Sequence, residues 1–129
     1  MKRRYARLLG VAAALLVAAA CGDGGPSGPG NLEASVDGGS LALGAAVIQV
    51  TGQGITGFGG AGGTRVFSNQ TGPTTHRVVV VGQTPGRLNF TIAVEDRGAG
   101  LPTLAVVEAV DGANADVQDV ASLKASVSR

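Results

Sequence analysis

His76 is the single imidazole of this 129-residue chain and Cys21 its single thiol. A metal centre built on imidazole needs further ligands. A Ser-His-Asp relay needs a serine on a strained turn, and no nucleophile-elbow pattern surrounds any serine here. His76 therefore reads as a strand-edge histidine, with a small hydrolase as the alternative that triad geometry leaves open. Asp111, Asn114, Asp116 and Asp119 are spaced closely and carry the oxygens that calcium takes, but not at EF-hand positions. Turn formation and solubility are their expected roles, with calcium as the alternative. Glu95 and Asp96 adjoin at a strand end, where neighbours point to opposite faces and make no acid/base pair. Gly52-Gln53-Gly54-Ile55-Thr56-Gly57 fits G-x-G-x-x-G, yet a dinucleotide site needs a helix opening there. The Gly-rich stretch to Gly63 will not make one. No catalytic residue, metal or diffusible cofactor is assigned.

The thiol at Cys21 sits in a more telling context. Lys2, Arg3, Arg4 and Arg7 precede an apolar run from Leu8 to Ala20, broken only by Gly10. That run falls short of the about 20 residues that span a bilayer, and basic start, short apolar run and small residues together make a secretory signal. Its end, Val17-Ala18-Ala19-Ala20-Cys21, resembles the bacterial lipobox, although Ala18 stands where that motif favours Leu. The resemblance implies cleavage between Ala20 and Cys21 and a diacylglycerol on the Cys21 thiol, a covalent lipid rather than a cofactor. It implies a membrane-anchored protein of the cell envelope. Gly22 stands where Asp retains some lipoproteins in the inner membrane, so the outer membrane or cell surface is the expected location. A lone cysteine cannot form an internal disulfide, and lipidation gives it a role. Each buried methylene contributes about 0.8 kcal/mol, and stable anchoring takes two or more chains.

Cleavage would remove all four N-terminal cations, leaving six Lys and Arg against nine acids, so +1 becomes −3. With no basic patch to neutralise phosphates, nucleic acid is not an expected partner. Residues 1–20 are thus read as the signal, expected to be helical. Residues 21–31 hold the lipidated cysteine and a flexible Gly/Pro-rich tether. Residues 32–129 are one domain, large enough to bury a core without disulfides.

That domain reads as all-β. Leu32–Val36 alternates apolar with polar and then turns at Asp37-Gly38-Gly39. Ala45–Val50, Ile55–Phe58 and Thr64–Ser68 follow, the last with Val66 inward and Arg65 and Phe67 on the opposite face. His76–Val81 ends in four valines, β-branched residues that favour strands, and the unbroken run predicts burial on both faces. Arg87–Val94 places Leu88, Phe90, Ile92 and Val94 on one face. Pro85-Gly86 suggests a turn that would join the last two strands as a hairpin. Thr103–Ala109 and Ser122–Ser128 complete the set, with Leu123, Ala125 and Val127 on one face. Val117, Val120 and Ala121 have the spacing of a helical turn within the segment that starts at Asn114.

About eight short strands with Gly-rich turns indicate a single antiparallel β-sandwich. The segments Ala45–Gly52, Arg77–Asp96, Thr103–Asp111 and Leu123–Arg129 resemble the cohesin-like, immunoglobulin-like or carbohydrate-binding-module-like sandwiches of secreted bacterial proteins. That likeness bears on fold more than function. The anchor, the tether and the absence of a catalytic constellation make a non-enzymatic module for protein interaction or envelope structure the expectation, with an envelope protein as partner and a glycan- or calcium-binding module as the alternative. Once Tyr5 leaves with the signal, Phe58, Phe67 and Phe90 are the remaining aromatics. Phe90 reads as core, and Phe58 and Phe67 as exposed flanks of the Gly-rich loop. Glycan platforms and protein hot spots usually draw on Trp and Tyr, so stacking on sugars is weakly supplied.

Overall fold

Alternation fixes the inward face of each strand. Leu88, Phe90, Ile92 and Val94 are all buried, as are Leu32, Ala34 and Val36. They meet Leu43, Ala46, Ile48, Val50, Val78 and Val80 in one apolar core. The computed structural model describes residues 27–129, and these form an eight-stranded antiparallel β-sandwich. The signal segment, Cys21 and the tether up to Pro26 lie outside the described residues.

The strands are β1 (Gly30–Asp37), β2 (Leu43–Thr51), β3 (Ile55–Ala61), β4 (Thr64–Gln70), β5 (Thr75–Gly86), β6 (Leu88–Val94), β7 (Thr103–Asp111) and β8 (Lys124–Ser128). One sheet has the order β3-β6-β1-β8 and the other β4-β5-β2-β7. The tight β3–β4 connection joins an edge of one sheet to an edge of the other. Its two turn residues, Gly62 and Gly63, have φ of 63° and 82°, left-handed values that glycine adopts without steric cost. A Cβ on Gly60 would run into the Thr64 carbonyl, so only glycine lets β3 approach this closely. That close approach extends β3 to Ala61, beyond the Ile55–Phe58 expected.

Four expectations are corrected. The turn at Pro85-Gly86 does not make a hairpin, because β5 and β6 belong to different sheets. Gly86 still pairs with Leu43 of β2, while Leu88 pairs with Val36 of β1. Between the Val81 and Gly86 pairings, Gly82 to Pro85 bulge opposite the single residue Gly44. Such a bulge sharpens the local twist and redirects the chain.

The four valines are not buried on both faces. Val78 and Val80 are fully buried, whereas Val79 is half-buried and Val81 is 38% exposed. No helical turn forms over Asn114–Val120. Asp111 instead closes a reverse turn, Asn114 takes φ 63°, and the chain returns along β7, where Asp116 pairs with Val110. A short 3-10 turn follows at Val120–Ser122. Finally, β1 begins at Gly30, two residues before the expected domain start. Gly30 and Asn31 pair with Val94 and Ala93.

Candidate functional site

The sequence-derived candidates separate in space, and most have a structural task. The Asp111 carboxylate accepts the amides of Ala113 and Ala115 at 2.9 and 3.0 Å. Its carbonyl accepts the amide of Asn114 at 3.0 Å. The Asp119 carbonyl accepts both the amide and the hydroxyl of Ser122. These residues therefore shape the loop that carries them. Among the described residues no group of three or more His, Cys, Asp or Glu side chains is gathered for a metal ion.

His76 lies between Val50 and Gln70 in its sheet. Its ring meets Phe58 edge-on at 5.3 Å and an interplanar angle of 64°. Phe58 is therefore packed against the core rather than exposed, because β3 turns it inward onto the end of β5. The Nδ1 of His76 is buried and without a hydrogen-bond partner. Among the described residues no serine or carboxylate is hydrogen-bonded to it, so these residues do not assemble the two partners of a triad around this ring.

Gly52–Gly57 leads into strand β3, and among the described residues no helix N-terminus faces the loop. Glu95 and Asp96 lie just past the end of β6 at Val94. Asp96 accepts the amides of Gly98 and Gly28, both at 2.9 Å. The Gly98 amide first, and the Gly28 amide second, hold its carboxyl below the usual aspartate value of 3.8. Arg97 donates its own amide to the Gly28 carbonyl at 2.9 Å. This pair of contacts pins the point where the N-terminal segment enters the sandwich.

The feature that sequence reading missed is the outer face of the sheet containing β5 and β2. Cross-strand register places Arg65, Val81, Ala45, Val110 and Asp116 in one row. Phe67, Val79, Val47 and Glu108 form the next row. Phe67 is 60% exposed and Val81 38%. Between β2, β7 and the returning segment at Asp116–Gln118 lies a groove of about 390 Å³, with Ala45, Val47 and Val79 on its floor and Glu108 and Asp116 among its walls. The other sheet presents a different outer face: Glu33, Ser35, Asn89, Thr91 and Ser126, with Arg87 donating to Ser35 at 2.9 Å. The signal was present in the sequence, since β2 and β5 are apolar at both alternations. Register was needed to align the two ends of opposite charge.

No family model matches the chain, and neither a curated protein nor a solved structure does. The class is therefore defined by the fold: an eight-stranded antiparallel β-sandwich with one polar and one apolar outer face. Among the described residues no helix is long and apolar enough to cross a membrane.

Proposed function

We propose that this chain is an exported bacterial lipoprotein, lipidated on Cys21, that presents a non-catalytic β-sandwich in the cell envelope for protein interaction or envelope structure. The observation that carries the reading is the run from Leu8 to Cys21. A short apolar segment after four cations ends in small residues and the chain's only cysteine. The Gly/Pro-rich stretch after Cys21 then leads to Gly28, where Asp96 and Arg97 hold the entry to β1. A lipid of several chains would keep this end at a bilayer surface, and the outer membrane or cell surface is the proposed address.

The interaction role rests on the molecule's surface. An apolar sheet face is the feature most unlike an ordinary solvated exterior, while His76 packs against Phe58 and the Asp111 carboxylate is held by its own loop.

Mass spectrometry of the chain expressed in a bacterium tests the anchor. The N-terminal peptide is expected to begin at a diacylglyceryl-modified Cys21, and labelled palmitate incorporation is expected to vanish in Cys21→Ser. An unmodified Cys21, or a mature chain starting elsewhere, would overturn the proposal.

A further inference from the structure

We infer that the apolar outer face of the β4-β5-β2-β7 sheet is a self-recognition surface, and that two copies of this chain pair through it about a two-fold axis parallel to the strands. This names a partner for the interaction role proposed above and rests on that reading.

The face is unlike a solvated sheet surface. A strand with one covered side alternates apolar with polar. Here β5 carries Val78 to Val81 without interruption, and β2 carries Ala45 to Ile48. Their inward members are buried, while the outward ones, Val79, Val81, Ala45 and Val47, have no layer above them among the described residues. Phe67 stands beside them at 60% exposure, and the groove beyond them has room for an inserted side chain.

The charges select the occupant. The row Arg65–Val81–Ala45–Val110–Asp116 begins with a cation, continues through three apolar residues and ends with an acid. Two copies meeting face to face by a two-fold operation must have their axis in the contact plane, so the patch must complement itself. An axis across the strands would lay each edge on its own copy and bring Arg65 near Arg65 and Asp116 near Asp116. An axis along the strands keeps the rows and reverses their order. Arg65 of each copy then faces the partner's Asp116, and the apolar centres meet. Phe67 of each copy is directed toward the partner's groove, between β2 and the Asp116–Gln118 segment. The same operation leaves both β1 starts at one end of the pair, so two anchors could enter one membrane.

The size suits a weak, reversible pairing. At about 4.8 Å between strands and about 3.3 Å per residue, two rows five segments wide and about four residues long project roughly 320 Å². Two copies then remove roughly 640 Å² before side-chain relief, which lies below the about 1,200 Å² of stable specific interfaces and among weak, transient ones. The sheet's other neighbours bound the patch: Asn69, Arg77 and Gln49 form a polar third row.

Sedimentation velocity of the full chain in density-matched mild detergent, across a concentration series, tests the pairing. The expected result is a reversible dimer that Phe67→Asp weakens by about tenfold or more. Arg65→Glu is expected to weaken it as well, and Arg65→Glu combined with Asp116→Arg to restore it. Phe67, Arg65 and Asp116 are exposed, so circular dichroism should show the same sandwich in each variant. A monomer at every concentration would overturn the inference, as would a dimer indifferent to Phe67→Asp, a double exchange no better than the single one, or open assemblies larger than two. A foreign protein or a glycan seated on the face would register as the monomer outcome. The mass of Cys21 is read separately, so failure of the pairing and failure of the anchor are distinguishable.

Discussion

At the scale of single residues, burial and hydrogen bonding separate side chains that composition treats alike. Phe90 and Phe67 are both strand phenylalanines, yet one is 1% and the other 60% exposed. Phe90→Ala leaves a cavity between the sheets and is expected to cost about 3–5 kcal/mol by urea unfolding. Asp96 differs from its neighbour Glu95 through its two backbone donors, Gly98 and Gly28. Its folded pKa lies below the ordinary 3.8, so its contribution to stability is fully present above that value. The contribution fades as pH falls through the lowered folded pKa. The melting-temperature difference between wild type and Asp96→Ala should therefore be full at neutral pH and shrink in acid below pH 3.8. A difference that grew toward acid would contradict this account.

At the scale of elements, two connections decide how the strands assemble. The β3–β4 turn holds Gly62 and Gly63 at left-handed φ, where a side chain costs about 1–2 kcal/mol. Gly63→Val is expected to destabilise by that amount in urea titrations, with the β3–β4 edge losing amide protection first. The β5–β6 connection does the opposite of a hairpin. Its bulge opposite Gly44 lets β5 continue to Gly86 and deliver Leu88 into the other sheet after a single intervening residue. Arg87, the residue between, reaches Ser35 on that second sheet at 2.9 Å. The returning segment after β7 is shaped likewise by Asp111, whose carboxylate holds two amides of its own loop.

At the scale of the whole molecule, most sheet contacts join strands far apart in sequence. β1 pairs with β6 and β8, β2 with β5 and β7, and β3 with β6. Only the β4–β5 pairing within a sheet joins consecutive strands. Loop closure must precede each distant pairing, so refolding is expected in about milliseconds to seconds rather than microseconds. Stopped-flow dilution from urea checks this, and a microsecond phase carrying the full amplitude would contradict it. The two outer faces complete the picture at this scale. One sheet shows water serine, asparagine and threonine; the other shows it valine, alanine and phenylalanine, bounded by charges of opposite sign.

Most strands and their inward sides were legible in the order of the residues. Alternation is a local property: the residues at Leu88, Phe90, Ile92 and Val94 must share a face wherever the strand lies. It likewise placed Val66 opposite Arg65 and Phe67, and marked Leu123, Ala125 and Val127 as one inward set. The all-β sandwich followed from these segments and their turns. Only the tertiary structure decided which strands share a sheet, because pairing joins residues as distant as Ser35 and Ser126 and no local pattern records the partner. For the same reason the Pro85-Gly86 turn pointed to a hairpin that the fold does not make. The valine run stated that β5 is apolar on both sides, but not that its outer side would lie uncovered among the described residues. Likewise, Arg65 and Asp116 acquired a relation only when four intervening pairings set them at opposite ends of one row.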